Sequence, residues 1–200
     1  MPAIRHQSLC LPDGRPVRGV RIALHACCAP CAGAVVERLV DEGARPVVFF
    51  SNANIYPQAE YVLRRAEIER FLRKKGVPFA EDAYDHAAWR EAMQGLEGEP
   101  ERGRRCAACF RWRLRRAALW AQREGLEWLT TTLAASRWKS LSQVDDAGQW
   151  ACEEVEGVSY WARNWRKEGL QQRRSEIIRE EAFYNQQYCG CEFAQERSRS

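Results

Sequence analysis

The sequence predicts an α/β protein, a mainly parallel sheet with helices on both faces and a cysteine-rich segment after the last helix. Three observations carry this. Short β-prone runs alternate with longer helical ones along most of the chain. The run Pro46 to Phe50 (PVVFF) is continuously apolar rather than alternating, as in strands covered on both faces. Successive strand candidates are separated by helical stretches, and parallel neighbours require such crossovers. With 200 residues, 46% of them hydrophobic, the chain can bury one core of its own. The domain is expected at 20–194, after an N-terminal extension at 1–19 and before a disordered tail at 195–200.

Each element has its own warrant. Val20 to Ala26 (VRIALHA) is a strand that runs through a cysteine-rich turn into a helix at Ala32 to Leu39. Pro46 to Phe50 is the second strand, followed by a polar loop at Ser51 to Tyr56. Pro57 suits the first position of a helix, and Tyr61, Ile68, Phe71 and Leu72 continue it at helical spacing to Lys75, where Gly76 closes it. Val77 to Ala80 is a third strand, Asp85 to Leu96 a helix, and Gly95 to Gly103 a loop.

From Cys106 to Glu124, Phe110, Leu114, Ala117, Ala118 and Ala121 form an apolar stripe with arginines opposite, ended by Gly125. Leu126 to Thr132 is a fourth strand, Ser136 to Ser140 a polar turn, and Ser142 to Glu154 a helix. Val158 to Ala162 is a fifth strand, and Leu170 to Glu181 a helix before the irregular tail. Ligands of such sheets gather beyond the carboxyl ends of the strands. A phosphate-binding fold would place glycines after the first strand; this chain places CCAPC there, which points to a metal instead.

Nine cysteines are heavy usage for a reduced compartment, and seven fall in three tight groups: Cys27, Cys28 and Cys31; Cys106 and Cys109; Cys189 and Cys191. Cys10 and Cys152 stand alone and read as incidental apolar residues. Residues three apart share a helix face, so Cys106 and Cys109 can reach one metal. Adjacent side chains are poorly placed to chelate one ion, so Cys27 and Cys28 are expected to face different partners, with Cys31 one turn on from Cys28. Four thiolates suit zinc and an iron–sulfur cluster alike, and the surplus of sulfurs favours iron.

No run approaches the roughly 18 apolar residues of a membrane span, and Met1 to Arg18 has no secretory core, so a cytoplasmic protein without a membrane partner is expected. The net charge of +4 is modest, but seven arginines crowd Arg102 to Arg116, interrupted by Phe110 and Trp112. Arg163, Arg166, Lys167, Arg173 and Arg174 form a second concentration around Trp161 and Trp165. Arg104, Arg105, Lys139, Arg166 and Lys167 are candidate phosphate contacts. Arg111, Arg113, Arg115 and Arg116 read equally well as a solvated helix face. Ser51, Asn52 and Asn54 can hydrogen-bond a substrate or simply form the turn.

Five pieces, HACCAPC at 25–31, SNANIYPQAEY at 51–61, CAACFRWRL at 106–114, TTTLAASRWK at 130–139 and YNQQYCGCEF at 184–193, resemble the cobalamin-independent epoxyqueuosine reductases of the QueH type. The likeness runs from about Ile22 to Phe193. It implies an adenine-nucleotide-hydrolase-like (HUP) fold related to the Rossmann architecture. It also implies reduction of epoxyqueuosine to queuosine at the wobble position of tRNA, with an external electron donor. A 4Fe–4S cluster with a nearby mononuclear iron is implied as well. Carried over, Cys28, Cys106 and Cys109 serve the cluster, and Cys27, Cys189 and Cys191 the region where cluster and iron meet. Some relatives have an aspartate at the place of Cys31, which is a ligand or a neighbour.

Tyr188 and Tyr184 are candidate proton donors, with packing as their alternative. The chain departs from the family pattern at Ala53, Asn164, Asn185 and in SRWK at 136–139. None of these removes a sulfur. Rival readings are a tRNA-thiolating or nucleotide-activating enzyme of the same fold, which needs a glycine-rich loop that APCA at 29–32 lacks, and a zinc-holding RNA-binding module.

Overall fold

The structure, a computed structural model, describes residues 8–195. Residues 1–7 of the expected N-terminal extension and 196–200 of the expected tail lie outside them. Five parallel strands, β1 (Arg21–His25), β2 (Arg45–Phe50), β3 (Phe79–Glu81), β4 (Trp128–Thr131) and β5 (Ser159–Tyr160), form one sheet in the order β3-β2-β1-β4-β5. Helices α1 (Ala29–Asp41), α2 (Gln58–Lys75), α3 (His86–Ala92), α4 (Arg104–Arg123), α5 (Leu141–Glu153), α6 (Leu170–Glu180) and α7 (Glu192–Gln195) complete it, with a 3-10 turn at Thr132–Ala135.

The strand order reverses direction at β1. Right-handed crossovers therefore put α1 and α2 on one face and α4 and α5 on the other. The packing agrees, since α1 lies against α2 and α6 while α4 lies against α5. The α/β class and its flanked parallel sheet are as the sequence predicts. The crevice between β1 and β4, where the chain departs to opposite sides, is the place such folds offer to a ligand.

Local chemistry explains the boundaries. From Ile22 to His25 every β1 side chain is buried, as the unbroken apolar run demands. Pro57 is the cap of α2 rather than its first residue, and Gly76 ends it with φ 65°, in the left-handed region open to glycine. Helix α3 stops at Ala92, short of the expected Leu96, because the next amides turn to carbonyls three residues back, at Met93, Gln94 and Leu96. Strand β5 keeps only two of its expected residues.

Gly33 on α1 lets α6 approach closely, since a Cβ there would meet Ile177 at 3.0 Å. In the core Phe49 and Trp120 stack with centroids 4.5 Å apart. Leu9, Leu11 and Val17 are also buried in it. Three apolar side chains of the described part of the N-terminal extension thus pack against the core.

Candidate metal centre

The first cysteine group fills the crevice. Cys27 lies in a bend just after β1, and Cys28 is the extended residue that caps α1, without a side-chain cap bond. Cys31 follows in the first turn of α1. The bend at Cys27 breaks the alternation that would send adjacent side chains to opposite sides. As a result the sulfurs of Cys27, Cys28 and Cys31 lie within 4.8 Å of one another, and those of Cys27 and Cys28 are 3.8 Å apart. The two adjacent sulfurs thus lie side by side rather than on opposite sides of the chain.

The strand ends fix this turn. The Cys27 amide donates to Thr132 Oγ1 at 3.1 Å, and that hydroxyl reaches Cys27 Sγ at 3.5 Å. His25, wholly buried, bridges Thr131 Oγ1 at 2.8 Å and the Ser51 carbonyl at 3.1 Å. Burial drives its pKa down to about 3, so the ring is neutral and acts as a strut across β4, β1 and the loop after β2.

The other four sulfurs approach from two directions. Cys109, buried on α4, accepts a hydrogen bond from Trp89 Nε1 at 3.4 Å and packs with Cys191 and Phe193. Cys106, one turn earlier, accepts from the Arg102 amide at 3.2 Å. The tail comes back along the loop after β2, through a bridge between Ile55 and Cys191 and a bond from the Tyr56 amide to the Gly190 carbonyl at 2.8 Å. Gln186 Nε2 donates to Cys28 Sγ at 2.7 Å, which ties the tail to the first group. Among the described residues, no three of these four sulfurs are gathered as tightly as the first group.

Electrostatics treats the sulfurs as one region. Hydrogen bonds from Cys28 and Cys31 draw the Cys27 thiol well below its usual value, and the same contacts hold Cys28 well above it. Cys31 is pushed up to about 11, first by its bond with Cys27. In the tail Cys189 falls to about 6 through its bond from Cys191, which is raised in turn. Burial lifts Cys106 to about 11 and raises Cys109. The half-buried Lys139 ammonium faces Cys27, Cys31, Cys189 and Cys28, and their charge raises its pKa after burial has lowered it.

Clustered buried thiols that must share protons beside a lysine are a site a thiolate-binding metal can take over by displacing those protons. All seven candidate cysteines are free thiols, five of them buried. The donor set fits a soft, sulfur-ligated metal centre.

The known proteins settle the family. The model of the epoxyqueuosine reductase QueH family matches residues 22–197. The chain belongs to that family.

Among its relatives, epoxyqueuosine reductase QueH of Haemophilus influenzae is 44% identical over 193 residues, covering 96% of this chain and 77% of that protein. The protein of the same name from Acinetobacter baylyi is 42% identical, covering 92% and 83%. That of Thermotoga maritima is 31% identical, covering 86% and 89%. The family's relatives are oxidoreductases by name, and the cysteine-built metal site lies at the strand ends of this QueH chain.

Several polar residues singled out in the sequence have structural occupations. Arg105 is buried, donates at 2.6 Å to both the Glu97 and Glu99 carbonyls, and lies over the Phe193 ring, so it is withdrawn as a phosphate contact. Arg113 is no solvated face. It is buried, donates to the Ser51 carbonyl at 3.1 Å and to the Asn52 side chain, and its charge acts on His25, Cys27 and Cys109. Ser51 donates to Asp82 at 2.6 Å, and Asn52 to the Ala26 carbonyl at 2.8 Å; both build the loop. Asn54 is buried with an unpartnered Oδ1.

Arg104 pairs with Glu99 at 2.7 Å on the surface, and Lys167 is exposed. Arg166 donates to the Lys139 carbonyl at 2.8 Å and orients that lysine's turn. Tyr188 lies beneath the Arg64 guanidinium, 5.1 Å from its ring centroid. Tyr184 is exposed, its hydroxyl 3.5 Å from Glu60. The sequence reading passed over His25, Thr132, Gln186, Trp89 and Arg64. For Arg64 a signal existed, since it stands between Tyr61 and Ile68 on the buried stripe of α2.

Proposed function

We propose that this chain reduces epoxyqueuosine to queuosine at the wobble position of tRNA. Its seven clustered cysteines then hold a 4Fe–4S cluster with an adjacent mononuclear iron. The observation that carries this reading is the convergence of three buried thiols within 4.8 Å at the β1–β4 crevice of a chain matched to the QueH family over 22–197. The catalytic unit is taken as one domain, 20–194. An external donor that delivers two electrons per turnover serves it in the cytoplasm, where tRNA is found. No helix among the described residues is long and apolar enough to cross a membrane.

Replacing an epoxide by an alkene takes two electrons and two protons and releases water. When bound, the iron centres would pass on the donor's electrons one at a time and act as a Lewis acid. The residues of the chain do the rest. Cys28, Cys106 and Cys109 are assigned to the cluster, Cys27, Cys189 and Cys191 to the region shared with the second iron, and Cys31, drawn in beside Cys27 and Cys28, to the same region. Gln186, Thr132 and Trp89 aim hydrogen bonds at sulfur, which fixes ligand orientation.

Lys139 balances the thiolate charge. Of the two tail tyrosines, Tyr188 is the better proton donor, because it adjoins Cys189 while Tyr184 turns out toward Glu60. Asn54, buried and unpartnered at Oδ1, is the loop residue retained for substrate. Arg104, Lys167 and Arg166 remain phosphate contacts on the rim.

The test is direct. Anaerobically reconstituted protein and a chemical reductant are incubated with tRNA containing epoxyqueuosine, and the nucleoside is identified by mass spectrometry. Queuosine is expected. Unchanged epoxide with the cluster present overturns the function, and a colourless protein holding zinc overturns the cofactor.

A further inference from the structure

Trp138 is the most exposed large apolar side chain among the described residues, 69% accessible where the next, Val62, is 53%. It stands on the turn after the 3-10 segment that leaves β4, at the same rim as the sulfurs. The turn's backbone is held in place. Arg102 Nε donates to the Trp138 carbonyl at 3.0 Å and Nη2 to the Arg137 carbonyl at 3.3 Å, while the Lys139 amide closes on the Ser136 carbonyl at 3.2 Å. The indole is therefore presented by a fixed frame.

That frame is coupled to the metal site at both ends. Arg102 grips the turn through its guanidinium and donates its own amide to Cys106 Sγ at 3.2 Å. Lys139, next to Trp138, directs its charge at Cys27, Cys31, Cys189 and Cys28. One arginine thus links a sulfur, through its amide, to the backbone of the turn that carries the exposed ring.

The charges around it decide the occupant. Arg137 lies over the Trp138 ring at 5.0 Å, and Arg102, Lys139 and Arg166 line the same turn. None of these four forms an ion pair with a carboxylate among the described residues; the nearby pairs go to Arg104 and Arg163. On the α1–α2–α6 side, by contrast, Lys75 and Arg173 pair with Glu37, Lys74 with Glu181, and Arg65 with Glu69 and Glu81. A protein partner covering the indole would have to desolvate the three arginines beside it that have no carboxylate partner among the described residues, Arg102, Arg137 and Arg166, whereas a polyanion pairs them. An exposed aromatic ring amid cations is what an unpaired base stacks on.

We propose that Trp138 is the stacking platform for an unpaired nucleobase flanking the modified nucleotide, with Arg102, Arg137 and Arg166 taking the adjoining phosphates. The inference rests on the tRNA-modifying reading and adds to it the residue that holds the single-stranded loop beside the sulfurs.

The test uses metal-loaded full-length protein and two fluorescently labelled RNAs without epoxyqueuosine, a stem–loop with an unpaired loop and a fully paired duplex of equal length. Trp138→Ala is expected to weaken stem–loop binding about 5- to 150-fold, the equivalent of the ~1–3 kcal/mol of one base–aromatic stack. Trp138→Phe should restore most of it, and duplex binding should be unchanged in both. Because the ring is exposed, the thermal midpoint should not move. Equal stem–loop affinity of wild type and Trp138→Ala overturns the platform, as does an equal loss on the duplex. If wild type still reduces epoxyqueuosine in tRNA, that failure belongs to the platform alone. If wild type neither prefers the stem–loop nor reduces the epoxide, the functional reading falls and takes the platform with it.

Discussion

The guanidinium of Arg64, 2% exposed in the middle of α2, donates through Nη1 to the carbonyl of Cys189 at 3.1 Å. Its Nη2 reaches the Tyr188 carbonyl at 3.4 Å, and Glu60 neutralises it at 2.6 Å. A tail with almost no regular structure is thus delivered to the metal site by one buried charge. Arg64→Ala should leave Glu60 unpaired and destabilise the fold by about 3–5 kcal/mol. Arg64→Lys keeps the charge but lacks the planar fork, so it should stay folded while losing hold of the carbonyls. Hydrogen exchange at 186–191 and iron bound per chain report the result. Unchanged protection and iron in Arg64→Lys would show that the tail seats itself.

A second, half-buried network joins the loop after β2 to α4. Asp82 accepts from Ser51 and, through both its oxygens, from Arg116, with Nη2 at 2.6 Å. Burial raises its pKa, but Arg116 and Ser51 outweigh it and hold the carboxyl below its ordinary 3.8. A depressed folded pKa gives stability that is present above the unfolded value and lost as pH falls through the folded one. Asp82→Asn should cost on the order of 2 kcal/mol at neutral pH, the range for hydrogen bonds to a charged group. The gap between variant and wild type in denaturant midpoint should close as pH falls below about 3.8. A gap that persists into strong acid would remove the ionic account.

The same network shows how far the sequence could be read. The strands were legible because both faces are covered, so β1 and β2 are apolar almost throughout. The cysteine turn after β1 was legible from its position and lack of glycine. The inward arginines were not, because residue type places arginine outside and only spacing hints otherwise. Arg105, Cys109, Arg113 and Ala117 lie four apart and share the buried side of α4, while Arg111 and Arg115 alternate outward. An arginine joins such a stripe only if distant carbonyls and side chains receive it, as those of Glu97, Ser51 and Asn52 do here. That information is tertiary. The 3-10 turn at Thr132–Ala135 was likewise hidden at the end of a β-prone run, since Thr131 caps it through its own side chain.

Close packing at the β5 edge makes a separate prediction. A Cβ on Gly148 of α5 would fall 2.3 Å from the ring of Tyr160, whose hydroxyl donates to Asp145 at 3.1 Å. Gly148→Ala should therefore destabilise the protein by about 1–3 kcal/mol despite alanine's better helix propensity. Gly148→Ala combined with Tyr160→Ala relieves the contact, so the double variant should lose less than the two single losses summed. Additive losses in urea titrations would mean that the ring moves aside without cost.

The ligand map can be tested without turnover, because sulfurs inside and outside the proposed centre differ in surroundings and not in chemistry. Cys109 lies against Cys191 and accepts from Trp89, and Cys106 feels the charges of Cys109 and Cys189. Cys152, also a buried free thiol, sits on α5 and feels Glu153 instead. Anaerobic reconstitution followed by iron analysis and absorption near 400 nm should show loss in Cys106→Ala and Cys109→Ala and full loading in Cys152→Ala. Cys109→Ser separates ligation from packing, since it nearly keeps the volume yet replaces a soft donor with a hard one. Iron content in Cys109→Ser equal to wild type would mean that this sulfur packs against the centre without binding it, and the cluster would have to be completed from the tail.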